Sequence, residues 1–339
     1  MCGIIGCVGR GEDTLDTLVH GLEKLEYRGY DSAGVALVGE DLAVCKTAGE
    51  ITDLRDRLAT RNLSGTVGIG HTRWSTHGPP TDENAHPHVD CEGDVAVVHN
   101  GIIENYRPLR DELEAAGHTF ASETDTEVVP HLMEDALAAG ESPASAFRTA
   151  VEHIDGSYAL AAVVAGTDAV FTARSDSPLV AGIGGDGATE TEALDAIRAP
   201  GEGGDPGEVP ATPDPSTDGG HTTPLYVASD VPAFRDFTAR VIYLDDGEFA
   251  TLDGGLTVTD DAGAVLEKPV DTIDWDPEQT GKSGYDHFML KEIHEQPRAL
   301  RQCFSGRLDE FRGSVDIDID LTTPAGVHFV AAGTSYYAS

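Results

Sequence analysis

The chain has 339 residues, enough for two domains or one large one. Its formal net charge is −38, from 60 acidic against 22 basic residues, and 40% of the residues are hydrophobic. That composition builds a core and excludes global disorder, while the shortage of clustered cations excludes a phosphate-facing nucleic-acid surface.

In chain order, Cys2–Gly9 reads as a buried strand. From Asp13 to Glu26, Leu15, Leu18, Val19, Leu22 and Leu25 recur at helical spacing. The segments SAGVALV and LAVCKT predict paired strands around the polar turn at Gly39–Asp41, and VGIGHTRW and DVAVVHNG predict two more, each ending in polar residues. Helices follow near Tyr106–Ala115 and Glu127–Ala138, and then the strands YALAAVVA, AVFTARS, PLVAGI, LYVAS and RVIYL. From about Gly184 to Pro224 glycine, proline and acids dominate, which predicts an exposed, disordered insert. Turn strands occupy Gly247–Val258, a polar connector runs through Trp275, and a helix is expected over His287–Gln302, interrupted by Pro297. The chain ends on a strand and a Gly-Thr-Ser turn of the kind that cradles phosphate at a helix start. A domain begun there cannot cover its own sheet edge, so the chain reads as cut short.

The acids are scattered and only five lysines occur, so the surface reads as a halophilic acidic coat. Such a coat keeps a protein dispersed in concentrated salt, where the screening length falls to about 3 Å at 1 M. Five cysteines without a close CxxC pair suggest neither a disulfide scaffold nor a four-thiolate zinc site. No basic-apolar leader opens the chain and no stretch approaches the ~20 apolar residues of a membrane span, so a cytoplasmic location without membrane attachment is expected. His71, His77, His86, His88, Cys91 and His99 form a histidine-rich stretch, but their spacing fits no tight four-ligand pattern, and no metal is expected. His20, His118 and His153 read as ordinary surface or core histidines.

The chemistry gathers at strand ends. If Met1 is removed, Cys2 carries a thiol and a free α-amine, with ordinary pKa values near 8.5 and 8. One residue then holds nucleophile and general base. Arg73, leading out of a strand, can grip a carboxylate bidentately. Asn100 and Gly101 offer a side-chain and a backbone N–H, the donors that an oxyanion needs. Asp125, in SETDTE, can hold an ammonium. Together these groups would orient an α-amino acid with its side-chain carbonyl at Cys2.

The ordered motifs MCGIIGCVG, EYRGYDSAG, GHTRWSTHG, NAHPHV, VVHNGIIENY and SETDTE resemble the class II, N-terminal-nucleophile glutamine amidotransferases. Among these the tryptophan of HTRW, the tyrosine of YRGYDSAG and the ending AAGTSY resemble the glucosamine-6-phosphate synthase family. The resemblance implies an α+β fold, a four-layer αββα glutaminase domain over residues 1–265 with the insert at about 184–224. A linker over 266–284 and the incomplete start of an α/β sugar isomerase domain over 285–339 would follow. It implies that Cys2 attacks the amide of L-glutamine and that Asn100 and Gly101 stabilise the oxyanion. Arg73, Thr76 and His77 would bind the glutamine carboxylate, Asp125 and Gly101 its ammonium, and Arg28 and Gly29 would line the nucleophile. Trp74 would gate an ammonia channel, and Thr334 and Ser335 would begin a sugar-phosphate site. The complete family enzyme passes the ammonia to fructose 6-phosphate, needs no metal or cofactor, and forms homodimers. On this reading the chain by itself acts as a glutaminase. Another class II amidotransferase, or a non-catalytic binding or regulatory module, is the alternative. Ser75 stands where alanine is expected, a small change.

Overall fold

A computed structural model describes residues 2–61, 63–75, 78–184, 196–197 and 223–274, and beyond them residues 290, 291, 293, 294, 296, 297, 308, 309, 314 and 315. The chain divides into two compact units, Met1–Gly281 and Lys282–Ser339. In the second unit, Leu290, Lys291, Ile293, His294, Gln296 and Pro297 are helical, and Leu308–Asp309 pairs antiparallel with Ser314–Val315. Most of the predicted 184–224 insert, the connector around Trp275 and the turn carrying Thr334 and Ser335 lie outside the described residues.

The first unit begins with β1 (Gly3–Val8), α1 (Thr14–Leu25), β2 (Ser32–Val38), β3 (Leu42–Ala48), α2 (Ile51–Leu58) and β4 (Val67–Arg73). Next come β5 (His88–Val89), β6 (Val95–Ile103), α3 (Tyr106–Ala116), α4 (Val128–Ala138) and α5 (Pro143–Glu152). The strands β7 (Gly156–Val164), β8 (Val170–Ser175), β9 (Val180–Ile183), β10 (Leu225–Ala228), β11 (Arg240–Tyr243), β12 (Phe249–Leu252), β13 (Leu256–Thr259) and β14 (Asp271–Thr272) complete it. Every strand anticipated from the sequence in this unit forms, as do the helices α1, α3 and α4. The helices α2 and α5 are additions to that reading.

Two antiparallel sheets result. One runs β14-β11-β9-β10-β1-β4-β2-β3 and the other β13-β12-β8-β7-β6-β5. Alternation assigns their faces, because successive side chains point to opposite sides. Ile4 and Val8 of β1, Val67 and Ile69 of β4, and Ala96 and Val98 of β6 meet in a core between the sheets. Ile5 and Cys7 of β1 instead pack with Leu18, Leu22 and Leu25 of α1 and Ile51 and Leu54 of α2. On the far side, Val95 and Val97 of β6 pack with Leu109 and Leu113 of α3, Met133 of α4 and Phe147 of α5. The layers are therefore helix, sheet, sheet, helix, the αββα arrangement expected.

The long insert does not part the strands that bracket it. Ile183 pairs with Leu225, and Gly184 N–H donates to Pro224 O at 2.8 Å. Ala196 and Ile197, from within it, dock on β13: Leu256 N–H donates to Ala196 O at 2.8 Å. Asp271–Thr272, read as connector, adds an edge strand to the larger sheet.

Candidate active site

The face alternation that builds the inter-sheet core also builds the site. Cys2 precedes Gly3, which pairs with Thr72, so Cys2 reaches the level of Arg73 at the end of β4. His71 and Arg73 continue the inward face of Val67 and Ile69, and Asn100 continues that of Ala96 and Val98. Polar groups thus replace aliphatic ones where the sandwich opens. A small cavity lies there, lined by Cys2, Arg73, Trp74, His86, His99, Gly101, Thr124, Asp125 and Thr126.

Two side chains fix the backbone of Cys2. Arg28 Nε donates to its carbonyl at 2.9 Å and Asn100 Nδ2 at 3.0 Å. Arg28 is itself buried and held by Asp230 at 3.3 Å. Trp74 N–H donates to Cys2 Sγ at 3.3 Å. Burial pushes the thiol above its ordinary value, against the opposing pull of that N–H and of the terminal amine, Arg73 and Arg28. A thiol raised in this way stays protonated at neutral pH and needs a base to react.

Close approach makes the strand end possible. A Cβ at Gly29 would lie 2.5 Å from Arg73 C and 2.6 Å from Trp74 N. Only glycine lets the chain after Arg28 lie against the Arg73–Trp74 backbone. Gly101 has φ of 133°, a conformation that side chains resist, and its Cβ would stand 2.0 Å from Ser157 O. A Cβ at Gly3 would stand 2.8 Å from the Leu25 and Thr72 side chains.

Asp125 is 5% exposed, and its Oδ2 accepts from Ile103 N–H at 2.8 Å. Arg73 is 3% exposed, with its guanidinium 3.5 Å from the carbonyls of Gly78 and Pro79. Asp125 and Arg73 line the same cavity as Cys2 and Gly101. Trp74 is 45% exposed and meets Tyr30 edge to face at 5.5 Å. Thr76 and His77 lie outside the described residues. Ser75 N–H donates to Asp31 Oδ2 at 2.8 Å, a backbone bond that alanine would also make.

Sequence reasoning missed a histidine layer that forms part of the cavity wall and extends behind it. His71 Nε2 contacts His99 O at 3.0 Å and Asn100 Oδ1 at 3.1 Å, both acceptors, so Nε2 carries the proton. That contact fixes the Asn100 amide with Nδ2 toward Cys2. His71 stacks on His86 with centroids 4.2 Å apart, and His86 meets His88 at 4.5 Å. Thr126 Oγ1 joins His86 and His99, and Thr124 Oγ1 bonds His88 at 3.0 Å. Burial pushes His71 down to about 3 and His86 and His88 well below the usual histidine range. These rings are a neutral packing layer. Their only sequence signal was the alternation that put His71 on the face of Arg73.

A family profile described as a glutamine amidotransferase domain matches residues 71–187, a span that takes in Arg73, Asn100, Gly101 and Asp125. The chain carries a glutamine amidotransferase domain. Over its whole length this amidotransferase chain is 49% identical to the isomerizing glutamine–fructose-6-phosphate aminotransferase of Halobacterium salinarum. It is 44% identical to the protein of that name from Methanothermobacter thermautotrophicus. It spans about half the length of these curated relatives, 50% and 51% respectively. Among solved structures, the glutamine phosphoribosylpyrophosphate amidotransferase of B. subtilis superposes with a TM-score of 0.54 at 24% identity. That match covers 77% of this chain and 49% of the other. The allosteric regulatory enzyme of purine biosynthesis gives 0.57 at 24% identity, with the same coverage. These likenesses establish the N-terminal-nucleophile amidotransferase fold. Among the described residues, no helix is long and apolar enough to cross a membrane.

Proposed function

We propose that the unit Met1–Gly281 hydrolyses L-glutamine with Cys2 as nucleophile, and that this unit is the ammonia-supplying half of a glutamine–fructose-6-phosphate aminotransferase. One observation carries the reading: a cysteine, an arginine, an aspartate and a glycine line one cavity at the open end of the sandwich. The guanidinium of Arg73 matches the α-carboxylate of glutamine, with Thr76 and His77 beside it in sequence, and the carboxylate of Asp125 matches the ammonium. Held between them, glutamine presents its carboxamide to Cys2.

With Met1 removed, the α-amine of Cys2 accepts the thiol proton as sulfur adds to the amide carbon. The oxyanion draws on Gly101 N–H and on Asn100 Nδ2, which turns from the Cys2 carbonyl. Collapse breaks the C–N bond, and the ammonium returns its proton to the departing nitrogen, releasing ammonia and a thioester. Water adds to the thioester, and glutamate leaves with the thiol restored. Arg28 and Gly29 act by positioning, holding the Cys2 carbonyl and admitting the Arg73–Trp74 backbone. Trp74, exposed at the mouth, suits a gate for ammonia.

The name of the relatives supplies the acceptor, fructose 6-phosphate, and Thr334 and Ser335 would belong to its phosphate site in a sugar isomerase unit beginning near 285. A homodimer in the cytoplasm, without nucleic-acid partners, completes the reading. Cys2→Ala should retain glutamine binding, read by calorimetry, and lose glutamate release by at least about 10³-fold. Undiminished glutamate release by that variant would refute the nucleophile.

A further inference from the structure

The sequence grouped Cys91 with His71, His77, His86, His88 and His99, and set His118 aside as an ordinary histidine. The fold regroups them. Cys91 lies in the turn between β5 and β6, His118 follows Gly117 at the end of α3, and His131 and Glu134 stand one turn apart on α4. One ligand atom from each of the four falls within 4.8 Å of all the others. Cys91 Sγ is 3.6 Å from His118 Nδ1 and 3.7 Å from His131 Nδ1. Glu134 Oε2 is 3.0 Å from His118 Nδ1 and 3.1 Å from His131 Nδ1. A tetrahedral zinc with bonds of about 2.0–2.3 Å has ligand–ligand edges of roughly 3.3–3.6 Å, close to these separations.

The hydrogen bonding favours a cation at the centre. His118 Nε2 lies 3.0 Å from Asp135 Oδ1, a carboxylate oxygen, so Nε2 carries a proton and donates. In the neutral ring Nδ1 is then a bare lone pair, and it faces another carboxylate oxygen of Glu134. Two acceptors at that distance repel. Either a second proton on His118 or a metal ion relieves them. The Asp135 contact is also the arrangement by which an outer carboxylate orients a ligating imidazole. His131 is fully buried and its Nε2 has no partner, so the ring's polar contacts all face the cluster. Phe120 closes one side, its ring centroid 4.5 Å from that of His131.

We propose that Cys91, His118, His131 and Glu134 bind one zinc-class divalent ion that touches none of the reacting groups of the glutamine chemistry. Four protein ligands leave no open position, which makes the site structural. Binding displaces the Cys91 proton and joins the β5–β6 turn and the end of α3 to α4. It thereby closes both ends of the stretch 118–131, which carries Thr124, Asp125 and Thr126.

The test uses the full chain, stripped with chelator and kept reduced, then titrated with Co²⁺ and with Zn²⁺. We expect stoichiometric Co²⁺ uptake, with intense tetrahedral visible bands and a near-ultraviolet thiolate-to-metal band, both abolished by Zn²⁺. Zn²⁺ should raise the Tm of the stripped protein. Cys91→Ser, at an exposed position, should match the stripped wild type in Tm, lose the thiolate band and gain no Tm from Zn²⁺. Asp135→Asn should weaken Zn²⁺ binding by about 10–100-fold. The proposal is overturned if stripped protein takes up no stoichiometric Co²⁺, if the spectrum is octahedral, or if Cys91→Ser leaves the spectrum unchanged.

Discussion

At the proposed amidotransferase site the nucleophile is held through a chain of neighbours. Arg28 and Asn100 pin the Cys2 carbonyl, and His71 pins Asn100. The histidine layer carries a pH cost. His71 is pushed down to about 3 in the fold, against about 6.5 when unfolded. Below pH 6.5 the unfolded chain therefore binds more protons than the folded one, and stability falls with pH until about pH 3. The slope reaches about 1.4 kcal/mol per pH unit for each such histidine. Denaturant titrations at stepped pH should show stability dropping steeply from pH 6.5 to 4.5, and His71→Gln should flatten that slope. A slope unchanged by the substitution would contradict the neutral layer. Cys2, Arg73, Asn100, Gly101 and Asp125 were legible in the sequence because polar residues at strand ends and in a loop stand out against apolar runs. The part of His71 was not: alternation assigns a side chain to a face but names no partner. Trp74 was read for its ring, whereas its backbone N–H is what touches the sulfur, and a backbone group leaves no trace in residue type.

At the level of elements, the site depends on how nearly the chain after Arg28 approaches the end of β4. Gly29→Ala places a Cβ among the backbone atoms of Arg73 and Trp74, which cannot turn away as a side chain can. The strand end must move, at a cost of about 1–3 kcal/mol in stability. A shift of that kind near reacting groups costs about 10²-fold in rate. The variant should fold, with a lower Tm and with kcat for glutamate release reduced about 100-fold. A kcat near wild type would mean that this contact does not position the nucleophile. Strands and the long amphipathic helices were readable because their apolar periods are clear. The eight-residue α2 buries only Ile51 and Leu54 and repeats its period too few times. In α5 the buried face is Ala146, Phe147, Ala150 and Val151, half of it alanine, so the apolar period is muted. Its start was nonetheless marked: Ser142 caps Ser145 N–H, and Pro143 occupies the first turn. The 3.0–3.7 Å geometry around Glu134 was beyond sequence reading, since its four residues come from three separate elements.

For the whole molecule, charge governs behaviour in solution. Sixty acidic residues against 22 basic ones repel across the folded surface. Diluting salt from about 1 M to 0.1 M lengthens screening from about 3 to 10 Å and brings more of those charges into contact. The Tm should fall by more than about 5 °C over that range, and a Tm independent of salt would contradict the reading of the acidic coat. The αββα layering needs no salt-specific feature, since the apolar alternation that forms it runs through the central strands of both sheets, β1, β4 and β6 among them. The proposed activity in turn rests on one thiol beside one free amine at the mouth of that sandwich. Intact-mass spectrometry and peptide mapping after reaction with a γ-chloroketone analogue of glutamine test this most directly. The account predicts a mature chain lacking Met1 and carrying a single adduct on Cys2. A turnover-competent chain that keeps Met1, or an adduct on another residue, would contradict it.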